Sequence, residues 1–514
     1  SYPFKITRHD QEFSFILLMS KKSSAAQVFT AGVDIKNFRD QPEEALEKWR
    51  ENQRKRGRKP ELIDEIVEQD KIYRASLKKK ADLAKERGAL MQSLNPKKGG
   101  VKTEEEKEQI KAQSVELKKQ LEDLEVETEK LFKKVEKLLC EVGCMIQPDV
   151  PVSLDEANNV TVCTCGKIPE IPNFKPHHEL LSMIDGYDSG RGTRVAGHRG
   201  YYLKGAALRL NQALFRYGLD FLTSRGYETI HTPFFMRRDI MGRVCQLEDF
   251  EETLYHVDSA TADKNDDMFL IATSEQTLCG FHLNETLDPS ELPKRYAGFS
   301  TCFRKEAGAS GKDNWGIFRV HQFEKVEQFC ITSPHGGESD KVHHQMINNS
   351  CEFLKTLGIP FRVVCVVSGE LNYSTSKKYD IEGWFPSYGT YRELVSGSNC
   401  LDFQSRKLDI RFGHGKNKDG EKEYVHMLNC TLCATERTLC AILENYQTPE
   451  GIKVPKVLQP YLKQIIEEEE PATDYNMPDV DLQAEAEKIK THSVDVTFIP
   501  FVKAAEKQIG RAHV

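Results

Sequence analysis

Between Ile110 and Leu138 the positions Ile110, Ser114, Leu117, Leu121, Leu124, Thr128, Leu131, Val135 and Leu138 are spaced alternately four and three apart. Only Ser114 and Thr128 are polar, and a four-three alternation is the heptad seam of one helix packed along another. A looser version runs through Ile66, Tyr73, Leu77, Ala84 and Met91. Between the two lies Asn95-Pro96-Lys97-Lys98-Gly99-Gly100, where proline and paired glycines should end one helix and reverse the chain. The pattern predicts an antiparallel helical hairpin. Its second helix, from about Thr103 to Cys140, would be roughly 55 Å long at ~1.5 Å per residue. On periodicity alone, a dimerisation coiled coil or a packed helix pair explains the seam as well.

After Pro148 and Pro151 the texture changes to short strand-like runs, turns and aromatics, continuing to about Ile466. Glu467-Glu468-Glu469-Glu470-Pro471 then marks an acidic boundary, and the tail to Val514 has little apolar periodicity. Residues 1–32 show no periodic pattern either. The expected division is an extension without fixed structure over 1–32, a helical-arm domain over 33–145 and a catalytic body over 146–466. An acidic insertion and tail over 467–514 completes it.

Composition changes this picture only modestly. A chain of 514 residues is too long for one compact core. Its 29% charged and 39% hydrophobic content suits a globular body joined to a long solvated helical element. The formal charge of −7 gives no global sign of nucleic-acid binding, so an RNA contact would have to come from a local patch such as Lys78-Lys79-Lys80 with Lys85 and Arg87. Charge runs on helices are usually solvated faces, so that cluster favours a polyanion only mildly. Fourteen scattered cysteines without a disulfide rhythm indicate a reduced, intracellular protein. No apolar run reaches the ~18–20 residues needed to span a bilayer. Phe13–Met19 is too short for that and follows Asp10 and Glu12, so neither a membrane span nor a secretory signal is expected.

Three pieces carry chemistry in one order along the chain. Gly226-Tyr227-Glu228-Thr229-Ile230-His231-Thr232-Pro233 reads as a helix-ending glycine leading into a short strand closed by proline. Phe303-Arg304-Lys305-Glu306 and, after a glycine-rich stretch, Ile317-Phe318-Arg319-Val320-His321-Gln322-Phe323-Glu324 read as two strands joined by a loop. Leu428-Asn429 through Arg437 then runs into the helix-like Thr438–Asn445. An arginine fork binds a carboxylate and a phosphate oxygen together, which lysine cannot do in the same geometry. Joining a carboxylate to an α-phosphate needs that arrangement, since two repelling anions must be held while charge grows on phosphorus. Phe323 can stack an adenine and Glu306 can accept from its exocyclic amine. Taken singly, a strand arginine is more often a surface ion pair and a phenylalanine more often core; the combination is what points to a nucleotide site.

These pieces resemble the three signature motifs of class II aminoacyl-tRNA synthetases. Thr273-Ser274-Glu275-Gln276, Gly316 through Glu327, Glu393-Leu394-Val395-Ser396 and Leu443-Glu444-Asn445-Tyr446-Gln447 are similar to seryl-tRNA synthetases of the eukaryotic cytosolic type. Val33-Asp34-Ile35-Lys36-Asn37-Phe38-Arg39 resembles that family's start, and the hairpin its tRNA-binding arm, so the likeness covers roughly residues 33–466. The resemblance implies an α+β fold: an N-terminal antiparallel helical hairpin, the coiled-coil arm, plus an antiparallel-sheet catalytic domain flanked by helices. It implies serine activation by ATP with Mg2+, transfer to tRNA(Ser) and, where present, tRNA(Sec), a homodimer and a cytoplasmic location.

By the same resemblance Arg304, Arg437 and Glu393 serve the reacting groups. The ATP site would comprise Arg304, Lys305, Glu306, Val320, His321, Gln322, Phe323, Glu393, Leu394, Val395, Ser396 and Arg437. Glu393 and Ser396 would stand on the magnesium side. Thr273, Glu275, Arg304, Glu327, Asn429 and Thr431 would form the serine pocket, and Lys78, Lys79, Lys80, Lys85 and Arg87 would meet tRNA. A pocket that hydrogen-bonds a hydroxyl rejects alanine because its own polar groups would be stranded. The chain departs from the family's usual pattern at Lys312, Asn314 and Trp315, in the loop expected to meet the tRNA acceptor end.

Cys430-Thr431-Leu432-Cys433 has the spacing of a zinc or redox site, but no second pair accompanies it, and a buried structural role is expected. Cys163 with Cys165, and His343 with His344, are read as ordinary surface or core residues. Three rival readings are another class II synthetase, a non-catalytic synthetase-like RNA-binding or regulatory protein, and a purely structural coiled coil. The arm opposes the first, retention of Arg304, Glu306, Phe323 and Arg437 the second, and residues 146–466 the third.

Overall fold

The computed structural model describes residues 29–94, 103–245, 253–258, 267–306, 315–413, 422–462 and 497–502. Helix α1 (Glu43–Lys55) leads into α2 (Glu61–Gln92) and α3 (Glu104–Cys140), which pack against each other as the expected hairpin. Thr103 caps α3 reciprocally. Its hydroxyl accepts from the Glu106 N–H, and the Glu106 carboxylate accepts from the Thr103 N–H, satisfying two otherwise orphaned donors. The reversal at 95–100 lies outside the described residues.

The α3 seam runs as its spacing predicts, with Ile110, Ser114, Leu124, Thr128, Val135 and Leu138 buried and Leu117, Leu121 and Leu131 partly so. The α2 seam needs correction. Ile66 and Tyr73 are buried, but Leu77, Ala84 and Met91 face solvent. The seam passes instead through Ser76, Lys80, Leu83, Arg87 and Leu90. The reason is a polar match: the Ser76 and Thr128 hydroxyls meet at 2.6 Å and Lys80 pairs with Glu125. Hydrophobicity alone pointed one residue too far along. At the arm's base Phe29 stacks on Phe132 at 4.6 Å, and Gly32 runs so close to the Phe403 ring that a Cβ would sit 2.4 Å from it.

The body is built on an eight-stranded sheet. Its strands are β1 (Val160–Cys165), β2 (Glu228–His231), β3 (Lys294–Phe303), β4 (Gln322–Thr332), β5 (Phe361–Cys365), β6 (Lys377–Phe385), β7 (Thr390–Asn399) and β8 (His426–Ala434). Their order is β1-β5-β6-β7-β8-β4-β3-β2, antiparallel throughout except where β2 runs parallel to β3. Helices α4 (His177–Met183), α5 (Gly205–Thr223), α6 (Ser274–Cys279), α7 (Glu338–Leu357) and α8 (Thr435–Asn445) flank it.

Side-chain alternation along β4 decides what each face does. Val326 and Gln328 turn to α5 and α7, where the Gln328 amide donates to Met346 O and Ser350 Oγ at 3.0 Å. Phe323, Lys325 and Glu327 take the other face and line a cavity. At the end of α8, the fully buried Glu444 carboxylate accepts from His177 N and Nδ1 and from Ser387 N and Oγ, at 2.7–3.1 Å. This pins α4 and the β6–β7 turn to α8. A short strand at Phe498–Pro500 pairs with Gly451–Lys453, so the segment 498–502 docks on the body.

The segment Ile317–His321, expected as strand, is a loop, and β4 begins at Gln322. Gly316 ahead of it takes a left-handed backbone at φ +66°, and Ile317 and Phe318 pack into the core from this loop. Cys430 and Cys433 are buried against different partners, Ser350 and Thr438, each thiol pushed up by burial. His343 is buried, its Nε2 donates to Gly397 O at 3.0 Å, and burial lowers its pKa to about 4.

Candidate active site

One cavity of about 310 Å³ opens on the odd-numbered face of β4. Of the residues singled out in the sequence, Thr273, Glu275, Arg304, Glu306, Val320, Phe323, Glu327, Glu393, Leu394, Ser396, Asn429, Thr431 and Arg437 line it. They come from seven places in the fold, Val320 standing in the loop before β4. Thr273 caps α6, its hydroxyl accepting from Glu275 N. Arg304 and Glu306 follow the end of β3, and Glu306 takes a left-handed backbone at φ 48°. Phe323 and Glu327 lie on β4, Glu393 and Ser396 on β7, Asn429 and Thr431 on β8, and Arg437 in the first turn of α8. A bulge opposite the Ile381–Glu382 junction shifts the register at Leu394, which turns both Glu393 and Ser396 to the cavity.

The cavity has two chemically distinct ends. At one, the Arg304 guanidinium lies 5.2 Å from the Phe323 ring centre, and the Arg437 guanidinium lies 5.1 Å from Phe318 and 3.3 Å from the Glu393 carboxylate. Glu306 pairs with Arg319 at 3.1 Å, and the Arg199 guanidinium donates to its carbonyl at 3.1 Å. Depth in the cleft pushes the Glu393 carboxyl up, but Arg437, with Lys378 and Arg304, holds it below the usual carboxylate range.

The other end is a hydrogen-bonded polar nest. The Thr273 hydroxyl donates to Glu327 at 2.8 Å, and the Asn429 and Gln404 amides donate to Glu275 at 2.8 and 3.0 Å. Lys325 pairs with Glu327. Burial, then the neighbouring Glu327, push the Glu275 carboxyl up to about 7. This end holds two close carboxylates with hydroxyl and amide groups between them, which suits a small ligand carrying an ammonium and a hydroxyl. The arginine end suits anions and a planar ring.

Four sequence candidates stand elsewhere. Lys305 donates its N–H to Thr253 O, and Val395 is buried in the core behind the cavity wall. His321 and Gln322 line a neighbouring cavity with Tyr201 and Asn211 on the reverse side of β4. Sequence reasoning missed Lys325, Phe318, Glu436, Asn372, Lys378 and Ser398, all of which line the site. Lys325 was readable: it shares its strand face with Phe323 and Glu327 at a period of two. Asn372 and Lys378 carried no signal, because only the fold brings the loop of the first and strand β6 of the second to this wall. On the arm, Lys78, Lys79 and Lys85 are exposed, Lys80 is paired with Glu125 and Arg87 is half-buried. Trp315 is exposed with its ring edge-on to His178, while Lys312 and Asn314 lie outside the described residues.

Residues 255–446 match the family model of the class II tRNA synthetase core domain (G, H, P, S and T), and residues 33–146 that of the seryl-tRNA synthetase N-terminal domain. A serine--tRNA ligase of Helianthus annuus is 49% identical over 438 residues, covering 84% of this chain and 97% of its own length. The cytoplasmic serine--tRNA ligase of Dictyostelium discoideum is 44% identical, covering 93% of this chain and 97% of its own. Among solved structures, the cytoplasmic serine-tRNA ligase of Naegleria fowleri in complex with AMP superimposes with a TM-score of 0.72 at 42% identity, over 84% of this chain and 96% of that one. The seryl-tRNA synthetase of Pyrococcus horikoshii complexed with ATP gives 0.74 at 38% identity, over 84% of this chain and 98% of that one. With both halves matched and near-full-length relatives at this identity, the chain belongs to the seryl-tRNA synthetase family.

Proposed function

We propose that this protein is a serine--tRNA ligase acting through the cavity described above. The observation that carries the reading is the juxtaposition, in one cavity, of an arginine-and-aromatic end with a carboxylate-and-hydroxyl end. Relatives solved in complex with AMP and with ATP support nucleotide binding by this chain. In the first step a serine carboxylate oxygen attacks the α-phosphorus of ATP, the bond to the β-phosphate breaks, and pyrophosphate leaves. In the second, a ribose hydroxyl of the tRNA end attacks the seryl carbonyl and AMP departs.

No protein nucleophile is needed; position and charge carry the first step. Arg304 holds the α-phosphate and the serine carboxylate together, its fork reaching both. Phe323 and Arg437 sandwich the adenine, and Glu306 accepts from its amine. Thr273, Glu275, Glu327, Asn429 and Thr431 receive the serine ammonium and hydroxyl. Glu393 and Ser396 offer the oxygen donors that a hard cation takes, and fit a magnesium ion arriving with the phosphates, which would neutralise charge there. Lys305, His321, Gln322 and Val395 lie outside the cavity's lining and adjoin residues that form it.

The arm over 33–145 would grip tRNA(Ser), and tRNA(Sec) where present, by shape and backbone, with 146–466 as the catalytic body. The working form is read as a cytoplasmic homodimer, in keeping with relatives named cytoplasmic. No described helix is long and apolar enough to cross a membrane.

The test is amino-acid-dependent exchange of pyrophosphate into ATP. Exchange should require serine and magnesium, and Arg304→Ala should reduce it at least a thousandfold, the range of a lost transition-state contact of ~4 kcal/mol. A folded, magnesium-supplied sample without serine-dependent exchange would overturn the assignment.

A further inference from the structure

Arg56, at the end of α1, is only 4% exposed. Among the described residues no carboxylate pairs with it. Its guanidinium instead donates to four main-chain carbonyls: Nη1 to Leu371 and Asn372 at 3.3 and 3.0 Å, and Nη2 to Cys144 and Thr375 at 2.5 and 2.7 Å. Three of the four belong to one loop, 371–376, between a short 3₁₀ turn and β6. The same loop is stitched to the N-terminal region by Cys144 N to Tyr373 O at 2.6 Å and Ser376 Oγ to Met145 O at 2.6 Å. A buried cation without a counter-charge is expensive. Satisfied by carbonyls, it fixes the path of the chain that carries them.

What that loop carries is Asn372. Its carbonyl is held by Arg56 and by Thr375 N at 3.0 Å, while its side chain has no hydrogen-bond partner among the described residues. It lines the active-site cavity, and also an adjoining cavity that shares Thr273, Glu275 and Arg304 with it. It therefore stands at the amino-acid end, on the side of the arm's base.

We propose that Asn372 contacts the amino-acid substrate and that Arg56 is its positioning residue, so that the N-terminal region completes the serine site even before tRNA is bound. This rests on the assignment of the cavity as the serine-activating site. An arginine suits the task because its fork reaches four carbonyls at once, which a lysine ammonium cannot.

The experiment measures serine-dependent pyrophosphate exchange, without tRNA, for the full chain and for Arg56→Met, Asn372→Ala and the double variant. Each single variant should raise KM for serine about tenfold and leave KM for ATP within twofold. The double variant should be no worse than the poorer single, since both changes remove one contact. A serine KM within twofold of the parent in Asn372→Ala would overturn the proposal, as would multiplicative effects in the double variant. So would a parallel rise in both KM values for Arg56→Met, which is what a general distortion of the cavity produces. If Arg56→Met fails to fold, Asn372→Ala, altering an exposed side chain, still decides substrate contact, and Arg56→Lys decides positioning by the same KM split. Absence of exchange in the unaltered protein is a different result, and removes the parent assignment instead.

Discussion

Glu275 shows how burial sets chemistry at a single residue. Its carboxyl sits in the polar end of the cavity beside Glu327, and burial raises it to about 7. Because it titrates higher in the folded chain than in the unfolded one, where a glutamate sits near ~4.3, its share of stability falls as pH rises from ~4.3 to about 7. That cost is useful if the ionised form meets a serine ammonium. As pH falls through about 7 the carboxylate is neutralised and that attraction is lost. The serine KM in pyrophosphate exchange should therefore rise about tenfold from pH 8 to pH 6, while the ATP KM changes little. Glu275→Gln should have a raised serine KM that no longer varies over this range. A wild-type KM that is flat with pH would refute the role. The same residue-scale reading explains Lys325, whose burial within β4 is tolerated because it pairs with Glu327.

At the scale of elements, the arm is the clearest case. Its seam near the body is aromatic and tightly packed, with Phe29, Tyr73 and Phe132 in mutual ring contact. Further out the polar contacts Ser76–Thr128 and Lys80–Glu125 interrupt it, and the seam continues through Leu83, Leu90, Leu117 and Ile110. The packed base and the exposed outer part thus have separate tasks. Removing residues 81–124 and closing the ends with a short glycine-serine turn should leave serine-dependent exchange within twofold. Charging of tRNA(Ser) should fall a hundredfold or more, since the projecting grip is gone. Aminoacylation that survived the truncation would show that the arm does not hold the tRNA. The cut must spare Arg56, whose contacts with loop 371–376 lie at the base.

For the whole molecule, apolar side chains remain exposed around α5 and β2, among them Tyr202, Leu208 and Phe235 at 47%, 39% and 50%. The homodimer proposed above would cover this face with a second copy. Sedimentation equilibrium should give about twice the 58.7 kDa chain mass, and Leu208→Asp with Phe235→Asp should shift the population to monomer. A parent protein that sediments as a monomer at micromolar concentration would rule the dimer out.

The sequence by itself determined the parts whose physics is local. Heptad spacing needs only neighbours on one helix, so α3 was legible from its N-cap at Thr103 to its end at Cys140. The signature residues Arg304, Phe323, Glu327, Asn429 and Arg437 were legible because each motif lies on one contiguous stretch. Tertiary structure alone decided what depends on partners distant in the chain. The α2 seam was set by Thr128 and Glu125 across the hairpin together with Leu83 and Leu90, and not by Leu77, Ala84 and Met91. Loop 317–321 follows a left-handed turn at Gly316 and packs Ile317 and Phe318 into the core contributed by other elements. Asn372 joined the site because Arg56, 316 residues earlier, holds its carbonyl. A periodicity records which face of an element is apolar, but the energy of a buried cation or a paired hydroxyl is fixed only when its partner arrives.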